Sequence, residues 1–474
     1  MKFNSFYFLL FFAVVVILYY LIPRKNLQRI ILIAASLFFV WQANLLSVIV
    51  IVAVAIVNYF LAMGIDARKN HRSGKAIFYL AMLLNVGNLF FFKYYDFFLA
   101  NLNMVLGVLD FRKAMPALNL LLPVGISFYT FQLMGYLIDV RREELHAEKD
   151  IWAFLNYVFF FPKLLAGPIE RAQKFLPQGQ SQPLRVHNFS AGMKLLVWGF
   201  FQKLVIADRI AIYVNSIYNN LDRHSGVTLL ACSLLYVFQV YADFSGYTDI
   251  ARGLARMLGY ELMVNFRRPL LASSIGDFWR RWHISLSSWV NDYIYMPLSL
   301  RFRAFGTMGV LSALLISFTV VGIWHGARWT YVVFGLLQGM FLAVGLLVSG
   351  RMKKQAAIIP SWVRRCAGTI VTFILIAISL VFFRSPSLGV AWDILSRIGL
   401  SGKLFIKPAS FFIYSLIGIS LLMARDGAEE YFGRDMLRIR SGWFALRSMP
   451  YALLVVIILA FGVFDGGQFI YFNF

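Results

Sequence analysis

Two histidines stand where an imidazole could do chemistry. His325 lies in Gly322-Ile323-Trp324-His325-Gly326, inside a strongly apolar run. An ionisable residue at membrane depth is costly and is a functional hypothesis by default. An apolar site favours the neutral ring, and a neutral ring can take a proton from a hydroxyl as general base. Trp324 can then wall a substrate channel. The competing reading is a histidine that ties two helices together through one hydrogen bond. His283 closes the basic, aromatic block Asp277-Phe278-Trp279-Arg280-Arg281-Trp282-His283. There it either orients an acyl donor or is a solvated interfacial side chain, and local context favours the second.

Arg267, Arg268, Arg280 and Arg281 carry guanidinium forks that match phosphate oxygens. Anchoring at lipid headgroups is the equal alternative. Tyr241-Ala242-Asp243-Phe244-Ser245-Gly246-Tyr247-Thr248-Asp249 ends an apolar run and brings two carboxylates near the membrane. Asp243 and Asp249 read as structural ion-pair partners, with proton relay as the alternative. His71, His146, His187 and His224 lie in polar segments and read as loop residues. A Walker-type Gly-Lys-Ser/Thr loop, a Gly-x-Ser-x-Gly elbow and a His-Glu-x-x-His helix are all missing. The sequence thus points away from a nucleotide-driven pump, a serine acyl-enzyme and a zinc-protease helix.

These residues need a membrane scaffold. The chain has 474 residues, of which 60% are hydrophobic and 14% charged, against about 25% charged in soluble domains. It reads as a single all-α polytopic unit over 1–474. N-terminal spans fill 1–119, a core carrying the candidate chemistry fills 120–349, and C-terminal spans fill 350–474. The net charge of +23 falls mainly in Lys and Arg between apolar runs. The positive-inside rule explains that placement without nucleic acid, and a basic face attracts anionic headgroups or a phosphorylated donor. Cys232 and Cys366 read as reduced, structural thiols.

Apolar runs near 6–22, 30–42, 45–65 and 76–98 read as the first four spans, the second being short. The first is read as a retained anchor, because Pro23-Arg24-Lys25 follows it instead of a cleavage site. Residues 99–119 read as a mixed outer loop and 120–140 as a returning span. Pro162, Lys163 and Gly167-Pro168 break the next apolar run, which suggests a re-entrant segment or a span end. Trp279, Trp282, Leu286, Trp289 and Tyr293 recur every three or four residues, so 276–296 reads as one interfacial helix. Arg280, His283 and Ser287 fall on a different face of it, and Asp277 and Arg281 form an i,i+4 pair. Runs at 227–244, 306–325, 329–349, 367–383, 410–424 and 448–464 bring the total to roughly ten to thirteen crossings. Gly322 with Gly326, and Gly335 with Gly339, permit close helix contact. Basic loops after the first and third spans, with Arg351, Lys353 and Lys354 and with Arg425–Arg447, place both termini outside.

The ordered motifs Asp277-Phe278-Trp279-Arg280-Arg281-Trp282-His283-Ile284-Ser285-Leu286 and Trp324-His325-Gly326 resemble the membrane-bound O-acyltransferase family. Tyr241–Tyr247, Asn265-Phe266, Gly167-Pro168 and Phe469-Ile470-Tyr471-Phe472 extend the resemblance over most of the chain. The nearest branch is the bacterial alginate O-acetyltransferase membrane subunit, and the D-alanyl transfer protein of teichoic acid export is a relative. The resemblance implies helices around a central funnel or tunnel, with re-entrant and interfacial helices. It implies catalytic roles for His325 and His283. It also implies substrate-side roles for Trp324, Asp277, Trp279, Arg280, Arg281, Asn265, Arg267, Tyr241 and Asp243, with no bound metal and no tightly held cofactor.

The donor it implies is acetyl-CoA or a carrier-protein thioester on the cytoplasmic side of a bacterial inner membrane. The acceptor is an extracytoplasmic, alginate-like polysaccharide, with extracytoplasmic acetyltransferase partners finishing the transfer. Pro297-Leu298-Ser299-Leu300-Arg301 lacks the Gly-Gly that the alginate branch carries after Pro-Leu, so peptidoglycan and teichoic acid remain open as acceptors. A transporter of lipid-linked or anionic cargo shares the polytopic layout, but it often shows two related halves, and none is visible here.

Overall fold

The computed structural model describes residues 3, 5–109, 115–180, 182–352, 359–406, 409–439, 441–464, 467, 469 and 470. Lys353, Lys354, Tyr471 and Phe472 lie outside them. The described residues form helices of several kinds and no strands. An α-helix satisfies its backbone polar groups internally, which the bilayer core requires. Among the described residues, six helices are long and apolar enough to cross a membrane, and Phe6–Leu21 and Ala445–Phe461 are shorter apolar helices. The chain is therefore an all-α polytopic membrane protein, with six such helices by length and composition against the ten to thirteen crossings expected.

The chain divides into two compact units. The first comprises Met1–Gly192 and Ala251–Met263. Its second helix, Lys25–Trp41, starts five residues earlier than the apolar run suggested. Arg29 can enter that helix because it pairs with Asp150 at 2.5 Å. Arg72–Leu89 continues through a π turn, Phe90–Tyr94, into Tyr95–Val108. The first part of the expected 99–119 loop is thus helical, and 110–114 lie outside the described residues. The expected break in the apolar run is present, with Ile151–Phe159 ending at Phe160 and Phe161–Leu164 following. Lys163 fixes this break by donating to Gln132 Oε1 at 2.6 Å and to the Tyr157 carbonyl at 2.7 Å. Irregular backbone is tolerated at depth because protein surrounds it.

The second unit comprises Met193–Ile250 and Val264–Asn473 and holds every residue singled out for chemistry. Gly306–His325 and Trp329–Met352 form an antiparallel helix pair. A Cβ added at Gly322 would lie 2.9 Å from Gly335 Cα, so the two backbones touch there. Close approach of this kind is what small residues permit in membranes. Ser361–Arg384 packs beside the pair, and Ala409–Phe432 brings a charged end to the 265–283 segment.

Candidate active site

The expected 276–296 helix is broken. Ile275–Arg281 ends at Trp282, whose backbone is extended, and Ile284–Val290 begins after His283. His283 has φ +42° in the left-handed region. Asn265 causes the break. Its carbonyl accepts from Ile284 N at 3.0 Å, and its Oδ1 accepts from Ser285 N at 3.0 Å. A continuous helix would pair those two amides four residues back. A second backbone bond, Arg267 N to Arg281 O at 2.9 Å, holds the two segments side by side. Trp282 leaves the helical face for an aromatic cluster with Phe266 at 5.0 Å and Phe278 at 5.3 Å.

The break turns His283 inward. It is 1% exposed, which overturns the solvated reading of its local context. Its Nδ1 accepts from Leu286 N at 3.4 Å and caps the new helix, so Nε2 carries the proton of the neutral ring. Burial pushes the imidazole down to about 3, so the ring is neutral at physiological pH. Phe244 stands edge-on at 4.7 Å. Asn265 is wholly buried, and its Nδ2 meets no acceptor among the described residues.

His325 is the last residue of its helix and is 2% exposed. Phe383 at 5.2 Å and Phe334 at 5.7 Å stand edge-on to its ring. The Trp324 ring lies 5.1 Å from His325 and 6.0 Å from His283, so one indole is within ring-contact distance of both histidines. Gly326 is required because a Cβ there would lie 2.5 Å from the Tyr331 ring.

His325 borders an internal cavity of about 20 Å³, shared with Trp279, Trp282, Phe334, Gln338 and Phe383. That is room for about one water. A cleft of about 1520 Å³ lies beside it, lined mainly by apolar residues of the Gly306–His325, Trp329–Met352 and Ser361–Arg384 helices. Its polar lining includes Ser273, Ser274, Arg280, Asn291 and Arg364. Trp279 lines both spaces. Its Nε1 donates to Gln338 Oε1 at 3.1 Å, Gln338 Nε2 donates to Ser379 Oγ at 2.7 Å, and Phe318 packs on the ring at 4.9 Å. Gln338 escaped the sequence reading. The available signal was a lone amide between Gly335 and Gly339 in an apolar run.

The other expected site residues have structural partners. Ser274 Oγ accepts from Asp277 N at 3.1 Å, and Asp277 Oδ2 accepts from Ser273 N at 3.4 Å, a reciprocal helix cap. Asp277 also pairs with Arg281 at 3.0 Å, as the spacing suggested. Glu430 gathers Arg268 at 2.8 Å, Arg281 at 3.0 Å and Arg365 at 2.6 Å. Arg268 and Arg281 are thereby neutralised; Arg267 and Arg280 are exposed, and Arg280 pairs with Asp277 at 3.3 Å. Asp243 accepts from Lys203 at 2.7 Å and from Ile470 N at 2.7 Å, an arrangement that pins the C-terminal segment. Tyr241 donates to Asp426 at 2.8 Å. Neither Tyr241 nor Asp243 lines the cavity or the cleft described above.

The profile of the membrane-bound O-acyltransferase family matches residues 36–384. The chain belongs to that family. The match contains both histidines, both spaces beside Trp279 and the Asn265 contact that breaks the helix. The chain is 32% identical over 456 residues to a peptidoglycan O-acetyltransferase of Helicobacter pylori, covering 90% of this chain and 82% of that protein. It is 34% identical over 364 residues to a probable alginate O-acetylase, AlgI, of Pseudomonas aeruginosa, covering 77% and 68%. A teichoic acid D-alanyltransferase of Bacillus subtilis is 27% identical over 326 residues, covering 65% and 74%. Our chain is thus a multi-pass membrane O-acyltransferase of the AlgI-like branch of that family.

Proposed function

We propose that this O-acyltransferase moves an acetyl group from a cytoplasmic thioester, acetyl-CoA or a carrier-protein thioester, to a hydroxyl outside a bacterial inner membrane. The observation that carries this reading is His325, a buried imidazole beside a small cavity that shares Trp279 with a large apolar cleft. The thioester enters the cleft, where Arg280 and Arg364 on the lining suit its phosphates, and the exposed Arg267 lies outside that lining. His325 takes the proton of the acceptor hydroxyl. The oxygen attacks the thioester carbonyl, the C–S bond breaks, and the thiolate recovers the proton from the imidazolium. His283, the Asn265 amide and Trp324 orient the groups around the forming oxyanion.

The acceptor in this reading is an extracytoplasmic polysaccharide of the alginate type, with peptidoglycan and teichoic acid as the alternatives that the relatives' names supply. Extracytoplasmic acetyltransferases would complete delivery to the polymer. Both termini then face outward, and the 265–283 segment faces the cytoplasm. His325→Ala tests the reading. It should insert and accumulate like the parent while polymer O-acetylation in cells falls to background, and retained acetylation would overturn it.

A further inference from the structure

We propose that Trp279, clamped by Gln338 and Ser379, limits the acyl group accepted at His325 to the two-carbon size. The inference rests on the reading of His325 as the base and of the cleft as the donor's entry. The two spaces make opposite demands on an acyl chain. The cleft of about 1520 Å³ has far more apolar wall than an acetyl group can use, with Leu314, Val321, Leu342 and Val371 among its lining. Each methylene buried there adds hydrophobic affinity, so the cleft alone would favour long chains. The cavity that borders His325 measures about 20 Å³. That is the space of about one water, and a methyl group is close to a water in size. Selection for a short acyl group therefore falls to the walls of the cavity.

Among the described residues Trp279 is the one side chain common to the two linings. Other aromatic walls of the cavity pack on each other. Phe334 meets Phe383 at 5.2 Å, and Trp282 stacks on Phe278 at 5.3 Å. The indole borders open cleft as well, so it is the wall whose loss gives a longer chain room. Its position is fixed by a chain of bonds across three helices. Nε1 donates to Gln338 Oε1 at 3.1 Å, Gln338 Nε2 donates to Ser379 Oγ at 2.7 Å, and Ser379 Oγ donates to the Ile376 carbonyl at 2.8 Å. Phe318, which lines the cleft, meets the indole edge-on at 4.9 Å. Gln338 and Ser379 are wholly buried, so the indole cannot swing away without leaving a buried amide unpaired, which is costly. Ser379 lines neither space. It acts through Gln338 and the indole, as a positioning residue.

The test is binding of non-transferable acyl-CoA analogues to the full-length protein in neutral-detergent micelles. In these ketones a methylene stands between sulfur and carbonyl, and the series carries acetyl, propionyl, butyryl and hexanoyl groups. Parent affinity should fall by about tenfold for the first added methylene and further for the next. Trp279→Ala should bind the butyryl and hexanoyl analogues at least as tightly as the acetyl one. Trp279→Leu, the milder change, should move the same way by a smaller amount. Gln338→Leu and Ser379→Ala should narrow the parent's acetyl-to-butyryl ratio, a shift that lost stability alone does not produce. Equal parent affinity across the series, or the parent's ratio kept in a Trp279→Leu protein that elutes as a folded monodisperse species, would overturn the proposal. The parent's ratio kept in both Gln338→Leu and Ser379→Ala would overturn the clamp. A parent that binds none of the ketones would refute the cleft as donor entry, and the proposal would fall with it. Binding does not require turnover, so a failure of the His325 reading would appear separately, as acetylation retained in His325→Ala.

Discussion

Glu430→Gln removes one charge and leaves the side-chain volume nearly intact. Three arginines lose their shared anion, Arg268 at 2.8 Å, Arg281 at 3.0 Å and Arg365 at 2.6 Å. Breaking a fully buried pair from one side costs about 3–5 kcal/mol. Glu430 is 9% exposed, but its partners are 29%, 19% and 41% exposed, so solvent screens the pairs. We therefore expect a loss of about 2–3 kcal/mol, below the buried limit. The pH dependence carries a definite sign. Burial acts to raise the Glu430 carboxyl, but Arg281 and Arg268 outweigh it and hold the group at about 2, against an ordinary 4.5. A carboxyl depressed by folding stabilises fully above its unfolded value and loses that contribution as pH falls through the folded one. The stability gap between parent and variant should be whole at pH 7 and shrink between about 4.5 and 2. Thermal unfolding of the detergent-solubilised proteins across that range measures it. Equal midpoints at pH 7, or a gap that survives undiminished to pH 2, would refute the assignment of Glu430 as the clamp on Arg281 and hence on the His283 turn.

Three further outcomes follow from the geometry. His283→Asn should fold, because Asn tolerates the left-handed backbone and caps helices well, yet it should lose acyl transfer. His283→Ala should add a backbone penalty of about 1–2 kcal/mol, seen as a lower thermal midpoint than that of the Asn variant. Trp279→Ala should cost about 3–5 kcal/mol and join the cleft to the His325 cavity. It should therefore raise acetyl-CoA hydrolysis relative to transfer in a coupled thiol-release assay, whereas Trp279→Phe should keep that ratio. Gly322→Val should wedge apart the two helices that touch at Gly335 and lower the yield of folded protein in size-exclusion chromatography, whereas Gly345→Val, where a Cβ would meet nothing within 4 Å, should not.

The readable parts of the sequence were those whose physics is local. A histidine in an apolar run is conspicuous because its cost is paid on the spot, and His325 is indeed buried at the site. Gly322 and Gly335 were visible from spacing and do bring two helices together. The single helix over 276–296 failed for the opposite reason. Its period of three and four is real on either side of the break, but Asn265 captures the amides of Ile284 and Ser285 from outside the window. Glu430 was hidden in a connection read as a basic loop, and Gln338 in a run read only as a membrane span. Both act through partners distant in the chain, Arg268 and Trp279, that no local pattern names.

The break at His283 also explains why the basic block and the apolar histidine belong together. As one interfacial helix, 276–296 would have left His283 on a solvated face with Arg280 and Ser287. Breaking the helix costs left-handed backbone at His283 and at Arg268. Glu430 offsets that cost from one side by holding Arg268 and Arg281, and Asn265 offsets it from the other by holding Ile284 and Ser285. Neither contact would be needed for a helix lying on a membrane. Together they deliver His283 to within 6.0 Å of the Trp324 ring that also meets His325, and they leave Trp279, on the first half of the broken helix, lining both cleft and cavity. Strained backbone persists where the surroundings over-determine it, and it concentrates at functional sites. Here the strain is what places the second imidazole.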